Sequence, residues 1–241
     1  FKKSFDAFES HFDAKINISM PLPALAQENF GYDPELLPLI RFASQLHKEH
    51  ILEKIEEALN LNDEPPLFRF QGVLTQNAKS SVKFSAGHSL FSRRDALAGA
   101  LGEAAERYCF REFSPHQSEL LISSYAKIKP HALDPSTVAG IDRALRLKNI
   151  DPRIRPFDEH SAFTWVRGYS LTQEKWIWFP VHLMTVNPSF QEELKRRNEP
   201  FLRFPISTGF AAGQTSEEAI YRGICEVIER DAYMLTYLNR I

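Results

Sequence analysis

The chain has 241 residues, 43% of them hydrophobic and 25% charged, which is the composition of a globular protein with enough apolar side chains for one large core or two modest ones. Lys+Arg total 29 against 31 Asp+Glu, a formal net charge of -2, so the balance argues against a polyanion-binding surface and against nucleic acid as a partner. The longest apolar stretch, Trp176 to Val186, is broken by Pro180 and His182 and is too short to span a bilayer.

The chain opens Phe1-Lys2-Lys3, with neither an initiator Met nor a signal-peptide pattern, and reads as an internal start. A helix is expected over Pro38 to Leu59, with Ile40, Ala43, Leu46, Ile51, Ile55 and Leu59 in an approximate helical period. Polar residues and a Pro-Pro pair between Asn60 and Pro66 set a boundary between an N-terminal helical extension, 1–66, and a second domain, 67–241. Leu67 to Phe84 alternates apolar and polar residues about a polar turn, Thr75 to Lys79, and predicts a hairpin. A long helix is expected from Arg93 to about Phe113, and another near Ala139 to Leu147. Phe163 to Leu171 and Trp176 to Val186 carry the β-favouring side chains of two strands joined through residues 172–175. A segment with glycines, Ser207 to Gln214, leads into a last helix from about Ser216 that runs to Ile241 without a stop signal, so the domain is expected to continue.

Cys109 and Cys225 cannot make a disulfide scaffold or a zinc site by themselves. Each has apolar neighbours in a helical segment, and buried, reduced thiols in a cytoplasmic protein are expected. His47 and His50 lie three apart but lack a third ligand, and the surrounding charges read as a solvated helix face. The 19 Phe residues are scattered and read as core.

The informative feature is a repeat. SRRDALAGALGEAAER, residues 92–107, aligns without a gap on TSEEAIYRGICEVIER, residues 215–230. Ala96 falls on Ala219, Glu103 on Glu226, Glu106 on Glu229 and Arg107 on Arg230. Both copies open like a capping box, Ser92 with Asp95 and Thr215 with Glu218, and both follow small residues, 85–87 and 211–213, read as loops. Asp95, Gly99, Glu103 and Glu106 share one helical face; Glu218, Arg222, Glu226 and Glu229 share another. Leu97, Leu101, Ala104 and Tyr108, and on the second helix Ile220, Ile224 and Val227, form the apolar sides. If the acidic faces meet, four carboxylates converge, and such hard oxygen donors suit Mg²⁺ with phosphate oxygens. Arg107 and Arg230 would balance phosphate charge or brace the carboxylates. One Glu-x-x-Glu-Arg alone usually means a solvated face with a helical ion pair, and it is the second, similarly capped copy that favours a metal-phosphate site.

At these residues the chain resembles the YcaO family, in its azoline-forming, bacteriocin-making branch. The resemblance rests on GALGEAAER, 99–107, and on STGFAAGQTSEEAIYRGICEVIERD, 207–231, with Trp165, Gly168, Ser170, Leu171 and Pro180 between them, and it extends over roughly 70–241. It implies an α+β fold with helices on a mixed, mainly antiparallel sheet, and an ATP site that needs no P-loop. It further implies Mg²⁺ ligation by Glu103, Glu106, Glu226 and Glu229, nucleotide contacts from Glu103, Gln214, Glu218 and Arg230, and catalytic charge balance by Arg107 and Arg230. The implied reaction is ATP-dependent activation of a peptide amide oxygen, most simply cyclodehydration of Cys, Ser or Thr to azolines in a ribosomally made precursor peptide. The implied partners are that peptide, a protein that binds its leader, and a second copy of the chain, with no membrane. Thioamide formation, an accessory role in modifying a ribosomal protein, and a non-catalytic scaffold stay open. Gly99 stands where many members have Ser, His88 where Lys is common, Thr208 and Gln214 where Asn is frequent, and Arg222 where Gln is frequent.

Overall fold

Pro34–Leu36 forms a single 3-10 turn that runs into α1, Leu37–Lys48, with Pro38 tolerated in the first turn. The computed structural model describes residues 34–58, 67–75, 83–140 and 154–239. Helix α1 stops eleven residues before the expected Leu59, and the reason is local. His50 takes a left-handed φ of 55°, its N–H donates to His47 O at 3.0 Å, and Ile51 N–H donates to Leu46 O at 2.8 Å. That is a Schellman stop with histidine in the place glycine usually fills.

The next segment is strand, not helix: β1, Leu52–Glu57, pairs antiparallel with β2, Phe68–Leu74. The ladder slips between Leu52 and Lys54, and the bulge leaves Leu52 and Ile55, three residues apart, buried on one side. A bulged strand therefore imitates the helical period. β3, Phe84–Ser89, pairs antiparallel with β2, so a hairpin is present, but its return strand starts at Phe84, where the expected one ended, and its turn lies outside the described residues. The small residues 85–87 are strand and not loop, and His88 lies exposed on that strand. Gly87 is required there by close approach. A Cβ on it would lie 2.1 Å from Ala96 O and 2.3 Å from Ala100 N, so β3 crosses the next helix at backbone distance.

That helix, α2, Arg93–Glu112, buries Ala96, Leu97, Ala100, Leu101 and Ala104. They share one core with Leu36, Ile40 and Leu46 from the N-terminal helical segment and Leu52, Ile55, Phe70 and Leu74 from the sheet. Helix α5, Ser216–Asn239, belongs to the same folding unit, which comprises residues 34–111 and 208–239 among those described.

Residues 112–207 form a second unit. Its sheet is β4, Leu120–Ser124, β5, Ala162–Ser170, and β6, Lys175–Pro180, all antiparallel. β6 ends at Pro180 and not at Val186, since proline brings no N–H to the ladder, and a 3-10 turn, Val181–Leu183, comes next. Phe163, Trp165 and Leu202 centre one cluster, and Val166, Val181, Phe190 and Leu194 a second. Among the described residues the unit also contains two short α-helices, α3, Tyr125–Ile128, and α4, Pro188–Arg196. The helix expected near 139–147 falls largely outside the described residues. The fold is α+β, with two antiparallel three-stranded sheets among the described residues.

Candidate functional site

The two repeated helices start alike. Asp95 N–H donates to Ser92 Oγ at 3.1 Å and Glu218 N–H to Thr215 Oγ1 at 3.2 Å, so both caps form as the sequence predicts. The reciprocal half of a capping box is replaced in each. Ser92 N–H donates to Ser89 Oγ, and Glu218 Oε2 accepts from Gln214 N–H at 2.9 Å.

The repeat goes further than the helices. Glu103 Oε2 accepts the backbone N–H of Ala86, and Glu226 Oε2 accepts that of Gly209, each partner 17 residues upstream. The other oxygen of each carboxylate takes an arginine one turn on: Arg107 Nη2 to Glu103 Oε1 at 2.6 Å, and Arg230 Nε to Glu226 Oε1 at 2.9 Å. Both copies thus tie a helix to the chain that precedes it through the same carboxylate–arginine pair. Gly209 holds a φ of 92°, a conformation that favours glycine.

The segment leading into α5 lies along α2. Phe210 stacks edge-on against Phe110, centroids 4.4 Å apart. A Cβ on Gly102 would meet Ala212 Cβ at 3.6 Å, and the backbone N–H of Ala212 faces the Glu106 carboxylate. This placement brings acids from the two helices together. Burial first, then Glu226 and Glu103, push the Glu106 pKa up to about 7, against the opposing pull of Arg107 and the Ala212 N–H. Glu103, Glu106 and Glu226 therefore share one electrostatic environment. Glu229 lies one turn along α5 from Glu226 and is exposed. Among the described residues no three acids close into a coordination sphere.

Gln214, Glu218 and Arg222 form a chain at the start of α5, where Glu218 accepts from Gln214 N–H and pairs with Arg222 at 2.7 Å. The Gln214 bond, then Arg222, lower the Glu218 pKa. Arg107 also donates to Phe84 O at 2.7 Å. Two expectations fail. Cys109 and Cys225 are exposed rather than buried. Ile224 and Val227, expected to pack, are 45% and 46% exposed, whereas their counterparts Leu101 and Ala104 are 0% exposed. Sequence reasoning missed the backbone donors at Ala86, Gly209 and Ala212, although extending the aligned repeat upstream pairs Ala86 with Gly209.

The donor set fits a divalent cation. Hard carboxylate oxygens come from two helices, and one carboxyl has its pKa raised by burial and then by like charges, the second of which a bound Mg²⁺ would relieve. Residues 89–241 match the model of the family described as YcaO cyclodehydratase, ATP- and Mg²⁺-binding, and the chain belongs to that family.

Solved structures share the fold. A heterocyclase in complex with substrate and cofactor superposes with a TM-score of 0.57 at 21% identity, over 80% of this chain and 28% of that one. The structure of YcaO from Methanopyrus kandleri bound with AMPPCP and Mg²⁺ superposes with a TM-score of 0.51 at 20% identity, over 88% of this chain and 48% of that one. The chain thus spans less than half the length of either. No curated protein matches it.

Proposed function

We propose that the full-length protein uses Mg²⁺-ATP to activate backbone amides of a ribosomally made peptide, converting Cys, Ser or Thr residues to azolines. The observation that carries this reading is the packing of the segment before α5 along α2, Phe210 against Phe110 and Ala212 beside Gly102, which brings the charge of Glu226 to bear on Glu106. Glu103, Glu106, Glu226 and Glu229 would hold Mg²⁺. Gln214 and Glu218, at the capped start of α5, lie where a helix N-terminus favours phosphate. Arg107 and Arg230 are paired to Glu103 and Glu226, so in this arrangement they brace the acids and supply positive charge beside them.

When bound, Mg²⁺-ATP supplies the phosphoryl group, and this chain's residues neutralise charge around it. The substrate's own thiol or hydroxyl loses its proton to solvent as it adds to the preceding carbonyl carbon. The resulting oxyanion takes the γ-phosphoryl group from ATP, releasing ADP. Phosphate then leaves with the former carbonyl oxygen as the amide nitrogen loses its proton and the C=N bond forms. Net water is removed from the peptide and appears in phosphate.

The test is to incubate full-length protein with ATP and a Cys-, Ser- and Thr-containing precursor peptide carrying ¹⁸O in its backbone carbonyls. Label recovered in inorganic phosphate is the expected result. Unlabelled phosphate beside ring-closed peptide would overturn the mechanism.

A further inference from the structure

Strand β3 is an edge of the first sheet, paired with β2 on one side only among the described residues. Its register fixes which backbone groups look outward. Leu74 N–H donates to Lys83 O, so residues 83, 85, 87 and 89 turn their backbone groups toward β2, while Phe84, Ala86 and His88 turn theirs away. All three are exposed, Phe84 at 49%. An edge of this kind is a template for another extended chain.

What meets that edge is a pair of side chains from α2. Arg107 Nη1 donates to Phe84 O at 2.7 Å, and Glu103 Oε2 accepts from Ala86 N–H. One residue of a parallel neighbouring strand would engage the same two groups, giving its N–H to one carbonyl and accepting from the N–H two residues further on. The guanidinium supplies that donor and the carboxylate that acceptor, and the two are tied to each other by an ion pair at 2.6 Å. The pair thus stands in for one residue of a neighbouring strand. Glu103 also bears on Glu106, so the edge of β3 borders the acid cluster. In the second copy Glu226 takes Gly209 N–H in the same way, but on a segment that forms no strand.

We propose that the substrate peptide docks on β3 as an added parallel strand, one of its residues taking Phe84 O from Arg107 and Ala86 N–H from Glu103. The inference rests on the reading of the substrate as a peptide, whose extended backbone carries N–H and C=O groups at the spacing of a strand edge. The residue two further along the peptide then meets Ala86 O and His88 N–H. Docking leaves the Glu103 carboxylate and the Arg107 guanidinium free to turn toward cation and phosphate. Assembly of the charge set is thereby tied to the presence of peptide.

The experiment uses full-length protein without nucleotide, so its outcome is independent of phosphoryl transfer, which the ¹⁸O measurement tests separately. The probe is the Cys-, Ser- and Thr-containing precursor peptide. With the peptide in excess, amide hydrogen exchange at Ala86 and His88 is expected to slow at least about tenfold, and exchange at Leu52–Glu57 on the opposite edge to stay unchanged. A series of peptides, each N-methylated at one backbone position, gives a second readout by fluorescence anisotropy. Methylation at alternate residues of the docked stretch should weaken binding at least about tenfold, and methylation between them by less than about threefold, because only every other N–H faces β3. His88→Pro removes an outward N–H that the ladder with β2 does not use, and it should weaken binding of the unmodified peptide. Circular dichroism checks the fold of that variant, and the N-methyl series decides if it does not fold. Unchanged exchange at Ala86 and His88, whether the peptide sits elsewhere or does not bind, would overturn the proposal. So would N-methylation that weakens binding at consecutive residues or at none.

Discussion

Glu106 and Glu226, 120 residues apart in sequence and on different helices, interact closely enough that Glu226 helps to raise the Glu106 pKa to about 7. Between the ordinary value of 4.5 and about 7 the folded chain holds a proton that the unfolded chain has lost, so this group's contribution falls as pH rises through that window. Glu106 is only half-buried, and after discounting for solvent screening the effect is on the order of 1–2 kcal/mol. Glu106→Gln should therefore raise the metal-free midpoint of thermal unfolding at pH 8 and leave it nearly unchanged at pH 4.5. Equal shifts at the two pH values would contradict the carboxylate cluster.

Mg²⁺-ATP should stabilise the full-length protein, by about 2.7 kcal/mol at a concentration a hundred times its Kd. Glu106→Gln and Glu229→Gln should remove most of that protection while leaving the nucleotide-free fold intact. Calorimetric titration of each variant with Mg²⁺ and a non-hydrolysable ATP analogue checks it.

Glu103 and Glu226 behave differently from Glu106, because each anchors a backbone N–H and an arginine. Replacing either by Gln weakens two charge-assisted bonds, so metal-free stability should fall by about 1 kcal/mol rather than rise. Urea unfolding of the four Gln variants should separate the two classes.

Gly87→Ala should be among the most damaging single-methyl changes in the chain. The added carbon would lie 2.1 Å from Ala96 O and 2.3 Å from Ala100 N, both backbone atoms that cannot turn aside. β3 and α2 would have to separate, at a cost of about 2–4 kcal/mol. Gly102→Ala, whose new carbon stands 3.6 Å from Ala212 Cβ, should cost much less in the same urea series.

His182 gives the opposite pH signature in the second unit. It is 4% exposed, its Nδ1 has no hydrogen-bond partner among the described residues, and burial lowers its pKa from 6.5 to about 4. Between those values the unfolded chain binds the proton and the folded chain does not, so stability is full above 6.5 and is lost as pH falls toward 4, by about 3 kcal/mol. His182→Leu should flatten this acid limb at little cost near pH 7, since no bond is broken. Thermal unfolding monitored by intrinsic tryptophan fluorescence between pH 4 and 7 is the measurement.

The amino-acid sequence by itself determined the two acidic helices, their caps and the apolar stripe of α2. All three depend on residues within a few positions of one another, where periodicity and N-cap chemistry act directly. It also carried the repeat, and through it the family. It did not determine the stop of α1, because His50 takes the left-handed φ without being glycine, held by the Ile51 N–H bond to Leu46 O and the His50 N–H bond to His47 O. Nor did it reveal β1, where a bulge puts Leu52 and Ile55 at helical spacing on a strand face. The small residues 85–87 looked like a loop because composition does not distinguish a turn from a strand pressed against a helix. The approach of Glu106 to Glu226 was decided only by tertiary structure. It depends on Phe210 and Ala212 packing along α2, and that is set by the shapes of surfaces more than a hundred residues apart in the chain.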